Sequence, residues 1–102
     1  MTIYQTLQST GLPCAYSHFT EKNSPKSPPY IVYLGAGQNN FEADDTFYHS
    51  ENQYQIEYYF KKKNEAQEAE IEQLLLDNGY LYQKSEDVYI EEEGVFVIYY
   101  TV

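Results

Sequence analysis

One cysteine, two histidines and a few acidic clusters are the residues of this chain whose types could do chemistry. A thiolate–imidazole pair needs sulfur and ring nitrogen within hydrogen-bond reach. Cys14 and His18, four residues apart in an expected strand, share a face but stand about 13 Å apart at strand rise. They cannot pair directly. Cys14 with His49 through the fold stays open, while a small buried hydrophobe is the simpler reading of Cys14. Asp44 and Asp45, with Glu42 before them and His49 after, make an oxygen-rich turn of the kind that can hold calcium or magnesium. No EF-hand spacing accompanies them, adjacent aspartates point in different directions, and Asx-turn chemistry accounts for the pair equally well. Glu91-Glu92-Glu93 could supply paired carboxylates, but in a turn they read as a solvated charge run. Pro25-Lys26-Ser27-Pro28 fits the minimal PxxP pattern, which a plain proline-rich loop also explains. There is no phosphate-cradling glycine loop, zinc-ligand spacing or nucleophile elbow. The residues therefore predict no catalytic site, no metal site and no cofactor.

The elements that must position any site are written in the tyrosines, 13 in 102 residues. Most lie in short alternating runs at 30–34, 54–60, 80–82 and 95–100. Aromatic and β-branched residues at period two read as half-buried strands. In the clearest run Tyr54, Ile56, Tyr58 and Phe60 face one way, and Gln55, Glu57, Tyr59 and Lys61 the other. Strands are expected at 14–19, 30–34, 46–49, 53–61, 80–84, 88–91 and 95–101. A turn is expected at 35–40, where Gly35-Ala36-Gly37-Gln38-Asn39-Asn40 falls. Residues 20–29 are polar with three prolines and read as a flexible loop. A short helix is expected within 1–11, capped by Thr2, with Ile3, Tyr4 and Leu7 on one face and Gly11 and Pro13 ending it. A longer helix is expected over 65–78, with Glu65, Glu68 and Glu70 at the positive end of its dipole. Ile71, Leu74 and Leu75 form its core stripe. Asn78-Gly79 supplies the C-cap, and Ala66, Ala69 and Leu76 fall on the far side. The predicted fold class is α+β, an antiparallel sheet of five to six strands with two helices packed on one face. The whole chain, 1–102, reads as a single domain.

Charge narrows the partners. Sixteen acids face six lysines and no arginine, a net charge of -10. Residues 1–63 hold six acids and five lysines, and residues 64–102 hold ten acids and one lysine. Such a surface repels phosphate, and no arginine fork is present to grip it, so direct nucleic-acid binding is not expected. The longest apolar stretch is far too short to span a bilayer, and the first residues lack the pattern of a secretory signal. The expectation is a cytoplasmic product with no membrane contact. Tyrosine has an apolar body and a polar tip, so a strand carrying it on both faces can pack on one side and meet a partner on the other. Candidate partner or oligomer contacts are Tyr30, Tyr33 and Tyr59 on the strands, and Ala69 and Leu76 on the outer helix face.

Several segments in order resemble the small head–tail joining or tail-completion proteins of long-tailed phages and prophages of Gram-positive bacteria. They are Gly11-Leu12-Pro13 with Ala15-Tyr16 and Phe19, then Pro28-Pro29-Tyr30-Ile31-Val32-Tyr33-Leu34 and Phe41-Glu42-Ala43-Asp44. Tyr54-Gln55-Ile56-Glu57-Tyr58-Tyr59, the acidic helix around Ile71-Glu72, and Tyr89-Ile90-Glu91 complete the set. The likeness covers most of the chain. Length and element order are also similar to the tail-terminator fold of lambda-like phages, whose members form hexameric rings. The resemblance implies a non-enzymatic virion assembly protein that caps the tail tube or joins tail to head. It implies contacts with copies of itself, as a hexamer in the tail-terminator likeness, with tail tube protein and with head–tail connector proteins. It places the protein in the host cytoplasm during assembly and then at the virion head–tail junction. An acidic wall around the DNA path would let the genome slide rather than stick. A rival from another class is an acidic protein-binding module or DNA-mimic inhibitor of a nucleic-acid enzyme. The resemblance carries no catalytic motif.

Overall fold

Helix α1, Ile3–Gln8, starts where the sequence supplies a capping box. The Thr2 hydroxyl accepts from the Gln5 amide at 3.1 Å, and the Thr2 amide donates to Gln5 Oε1 at 2.9 Å. A computed structural model describes residues 2–22, 24–25, 27–42 and 48–102, with the backbone alone for 38–42 and 48–52. In chain order the further elements are β1 (Cys14–Tyr16), β2 (Tyr30–Glu42), β3 (Tyr48–Phe60), α2 (Glu65–Asp77), β4 (Gln83–Lys84), β5 (Val88–Ile90) and β6 (Val95–Thr101). The strands form one six-stranded sheet in the order β1-β2-β3-β6-β4, with β5 also paired to β6. Only β1–β2 is parallel. This is the expected α+β class.

The period-two alternation sorts the sheet into two faces. Ile31 pairs with Tyr58 and Tyr33 with Ile56, while Ile56 pairs with Tyr100 and Tyr58 with Ile98. These side chains, with Phe60, meet Ile3 and Leu7 of α1 and Ile71 and Leu75 of α2 in the core. Both helices cover this face. Helix α2 is capped by Asn64, whose side chain accepts from the Gln67 amide at 3.1 Å. Ile71 and Leu75 are buried as expected, and Leu74 is half-buried. Tyr4 departs from expectation, since it is 40% exposed and Thr6 takes the buried place beside Leu7.

Three boundaries differ from the sequence reading. The expected turn at 35–40 is strand, because the partner strand carries on opposite it. Gln38 pairs with Asn52 and Glu42 with Tyr48. The glycines there make a register shift between Gly35 and Gln38, with Gly37 at φ 94. Strand β1 ends at Tyr16, where Ser17 takes φ 68 and turns the chain away. Of the run expected at 80–84, only Gln83 and Lys84 pair with β6. Thr46 and the Asp44-Asp45 cation site lie outside the described residues, as does the His49 side chain.

Candidate functional site

The sheet face without helices is also partly covered. Val32 is 6% exposed and Val97 fully buried, although no helix lies over them. The chain after β1 and the tight turn between β5 and β6 come beside Val32 and Tyr30 on this face. The positive φ of Ser17 lifts the chain off the sheet edge, so that His18 and Phe19 pass over this face beside Tyr30. The Phe19 ring meets Tyr30 edge-on, with centroids 5.5 Å apart at 85°. Tyr30 and Tyr59 are cross-strand partners, and their rings stack at 5.0 Å and 24°. On the other side the β5–β6 turn closes with the Gly94 amide donating to the Ile90 carbonyl at 2.8 Å. Gly94 holds φ 66, a value that suits glycine. This presents Glu93 toward Tyr30.

Between these walls lies a cavity of about 310 Å³, open to solvent. Glu57 lies at its floor, its carboxylate fixed by two neighbours. The Tyr59 hydroxyl donates to Oε1 at 2.6 Å, and Gln55 Nε2 donates to Oε2 at 3.0 Å. Burial, that hydrogen bond and the Glu57 charge push the Tyr59 hydroxyl well above the usual tyrosine range. Burial, then the Glu93 carboxylate, raise Tyr30 as well. Both hydroxyls therefore stay protonated at neutral pH, and that of Tyr59 donates to Glu57. The cleft is aromatic on its walls and acidic at floor and rim.

The residues named as contact candidates fall in three places. Tyr30 and Tyr59 are half-buried together in this cleft. Tyr33 is 9% exposed in the helix-side core, touching Tyr4, Tyr16 and Tyr54, and offers no free surface. The reason is register, since Tyr33 sits opposite Ile56 on the helix-covered face. Ala69 and Leu76 are exposed on the outer side of α2, Leu76 at 45%.

The densest polar cluster lies on the other face, between α2 and the sheet. Glu68 is buried and lies 2.9 Å from both Lys63 and Lys84. Its Oε2 meets Lys63 at that distance without hydrogen-bond alignment, so the pairing there is ionic. Glu72 binds Lys84 at 2.7 Å and accepts from the Tyr100 and Tyr82 hydroxyls at 2.8 and 3.2 Å. Burial alone would raise the Glu72 carboxyl. The Lys84 and tyrosine hydrogen bonds outweigh it and hold the group below the usual carboxylate range. Burial would lower Lys84, but Glu72 and Glu68 raise it instead. Tyr58 is pushed up to about 12 by burial and the Glu68 charge, against Lys63. Glu68 holds two lysines, and Glu72 holds Lys84 and two tyrosine hydroxyls, so the cluster ties α2 to β4 and β6. Among the described residues no group of three metal-ligating side chains forms.

Burial pushes the Cys14 thiol up to about 11, so it is protonated and weakly nucleophilic at neutral pH. His18 is exposed, with Nδ1 3.2 Å from the Ser17 hydroxyl. Sequence reasoning missed the roles of Phe19, Glu57 and Glu93, because three segments distant in sequence bring them together. For Glu68 and Glu72 a signal existed. With Ile71 and Leu75 they occupy positions i, i+3, i+4 and i+7 of one helical face. No family model matches the chain, and no curated protein sequence matches it.

Proposed function

We propose that this protein is a non-enzymatic assembly protein that caps a phage tail tube or joins tail to head, working by contact with other protein subunits. The observation that carries the reading is the reach of β2 and β3. Strand β1 pairs only with residues 31–33 of β2, and β6 only with residues 55–60 of β3. Tyr54 still bonds the Val102 backbone in both directions, and beyond it the β2–β3 pairing continues from Gln38–Asn52 to Glu42–Tyr48 without a third strand among the described residues. A two-stranded ribbon alone is at best marginally stable in water. Backbone edges that meet no third strand among the described residues are templates for pairing with another chain. A ribbon of this kind gains its stability in an assembly, which fits a ring-forming subunit contacting copies of itself, tail tube protein and connector proteins. The exposed Ala69 and Leu76 offer a second contact surface on α2. The acidic surface, at net charge -10, suits a wall past which DNA must slide.

The test removes the ribbon and keeps the body. Gly35 and Tyr54 face each other across β2 and β3, so an Asn-Gly turn can join them in place of residues 36–53. The shortened protein should fold and should fail to complement a phage lacking the corresponding gene. Full infectivity with the shortened protein would overturn the reading.

A further inference from the structure

The geometry points to the cleft of Tyr30, Tyr59, Phe19, Glu57 and Glu93 as the receptor for a single arginine side chain of a different protein. For the source of that arginine, the inference rests on the assembly reading. The chemistry of the cleft selects its occupant. Phe19 stands edge-on to a stacked tyrosine pair, and the faces of aromatic rings are negative. Glu57 sits half-buried at the floor, and among the described residues each of its oxygens accepts one hydrogen bond, which leaves a lone pair for a further donor. Glu93 adds a second carboxylate at the rim. A neutral apolar group here would strip water from Glu57 with no return, which is costly. A phosphate or carboxylate would meet two negative charges. A cation satisfies both carboxylates and the rings.

Among cations a guanidinium fits best, since it is flat, stacks on aromatic rings and bonds a carboxylate with two parallel N–H groups. The cavity of about 310 Å³ has room for one such side chain. The chain itself contains no arginine, so a guanidinium must come from another protein. The ion pairs formed among the described residues lie on the helix side, through Lys63 and Lys84. A net charge of -10 also draws basic partners toward this surface.

The test is an NMR titration of the intact protein with the peptide acetyl-Gly-Arg-Gly-amide, reading the ring signals of Phe19, Tyr30 and Tyr59. The neutral isostere acetyl-Gly-citrulline-Gly-amide and the lysine peptide serve as comparisons. The arginine peptide should give saturable shifts that weaken as salt is raised. The citrulline peptide should bind at least about tenfold more weakly, and the lysine peptide should fall between them. Glu57→Gln keeps the shape of the floor and the contact from Tyr59, and should also lose about tenfold, the worth of a hydrogen bond to a charged group. Equal binding of arginine and citrulline, no saturable shift, or unchanged binding by Glu57→Gln would each overturn the inference. Should Glu57→Gln break the fold, Glu93→Gln on the exposed turn gives the same comparison. Arginine binding that survives removal of the ribbon, in a protein without any role in tail assembly, would sink the assembly reading and leave the cleft standing.

Discussion

Glu68 and Glu72 stand one helical turn apart, and both lean on Lys84. Glu68 is 2% exposed, so removing a cation leaves a buried charge short of compensation. Lys84→Met should therefore destabilise the fold by about 2–4 kcal/mol, read by urea denaturation, well above the ~0.5 kcal/mol of ordinary surface changes. A loss near that smaller value would mean Lys63 alone satisfies the pair. The same cluster makes a pH prediction. The folded Glu72 carboxyl lies below its ordinary value. Its contribution is present above the unfolded value of about 4.3 and fades as pH falls through the lower folded one. The stability gap between the native protein and Glu72→Gln should be constant from neutral pH down to about 5 and should shrink below about 4. Comparing the two proteins cancels the relief of surface repulsion that acid brings to so acidic a chain. A gap independent of pH would place Glu72 outside the network. The spacing of Glu68 and Glu72 with Ile71 and Leu75 marked their face, but not their ion pairs, because Glu68 near a helix start is equally well explained by the dipole. Its burial depends on Lys63 and Lys84, which come from opposite ends of the helix.

Elements were legible wherever local pattern and tertiary pairing agree. Strand β6 has the bounds expected of it, though it is buried on both faces rather than alternately, and α2 ends within a residue of its expected end. Leu75 is fully buried at the centre of the helix stripe, so Leu75→Ala should cost about 2–5 kcal/mol by thermal or urea unfolding. The outer face of α2 should behave differently. Ala69→Glu with Leu76→Lys alters two exposed positions and should shift stability by no more than about 0.5 kcal/mol each. The circular dichroism spectrum should keep its native form. Unfolding of that double variant would put the face in the core. Elements were misread where local chemistry and pairing conflict. Residues 35–40 carry the composition of a turn, yet lie in β2 because residues 50–54 pair opposite them. Such a register cannot be read from one strand. Tyr33 shows the same limit at a single position. Tyr30 and Tyr33 look alike in the sequence, yet stand on opposite faces of the sheet, one half-buried in the cleft and the other in the core.

At the scale of the molecule, two faces of one sheet divide the labour. The helix side holds the core and the ion-paired cluster, and gives the body its stability. The other side carries the aromatic and acidic cleft, and the β2–β3 ribbon extends past both neighbouring strands. If contact runs through the cleft and the ribbon as proposed, variants there that spare the buried Val32 and Val97 should leave folding intact. The central claim is association through the ribbon, and mass in solution tests it most directly. Multi-angle light scattering should be run on the protein alone and with tail tube protein, for the native chain and for the chain with residues 36–53 replaced by an Asn-Gly turn. The account predicts that the native chain forms a ring of several subunits or a stable complex with the tubes, and that the shortened chain stays a folded monomer in both conditions. A native chain that remains a monomer at all concentrations and does not bind tubes would contradict it.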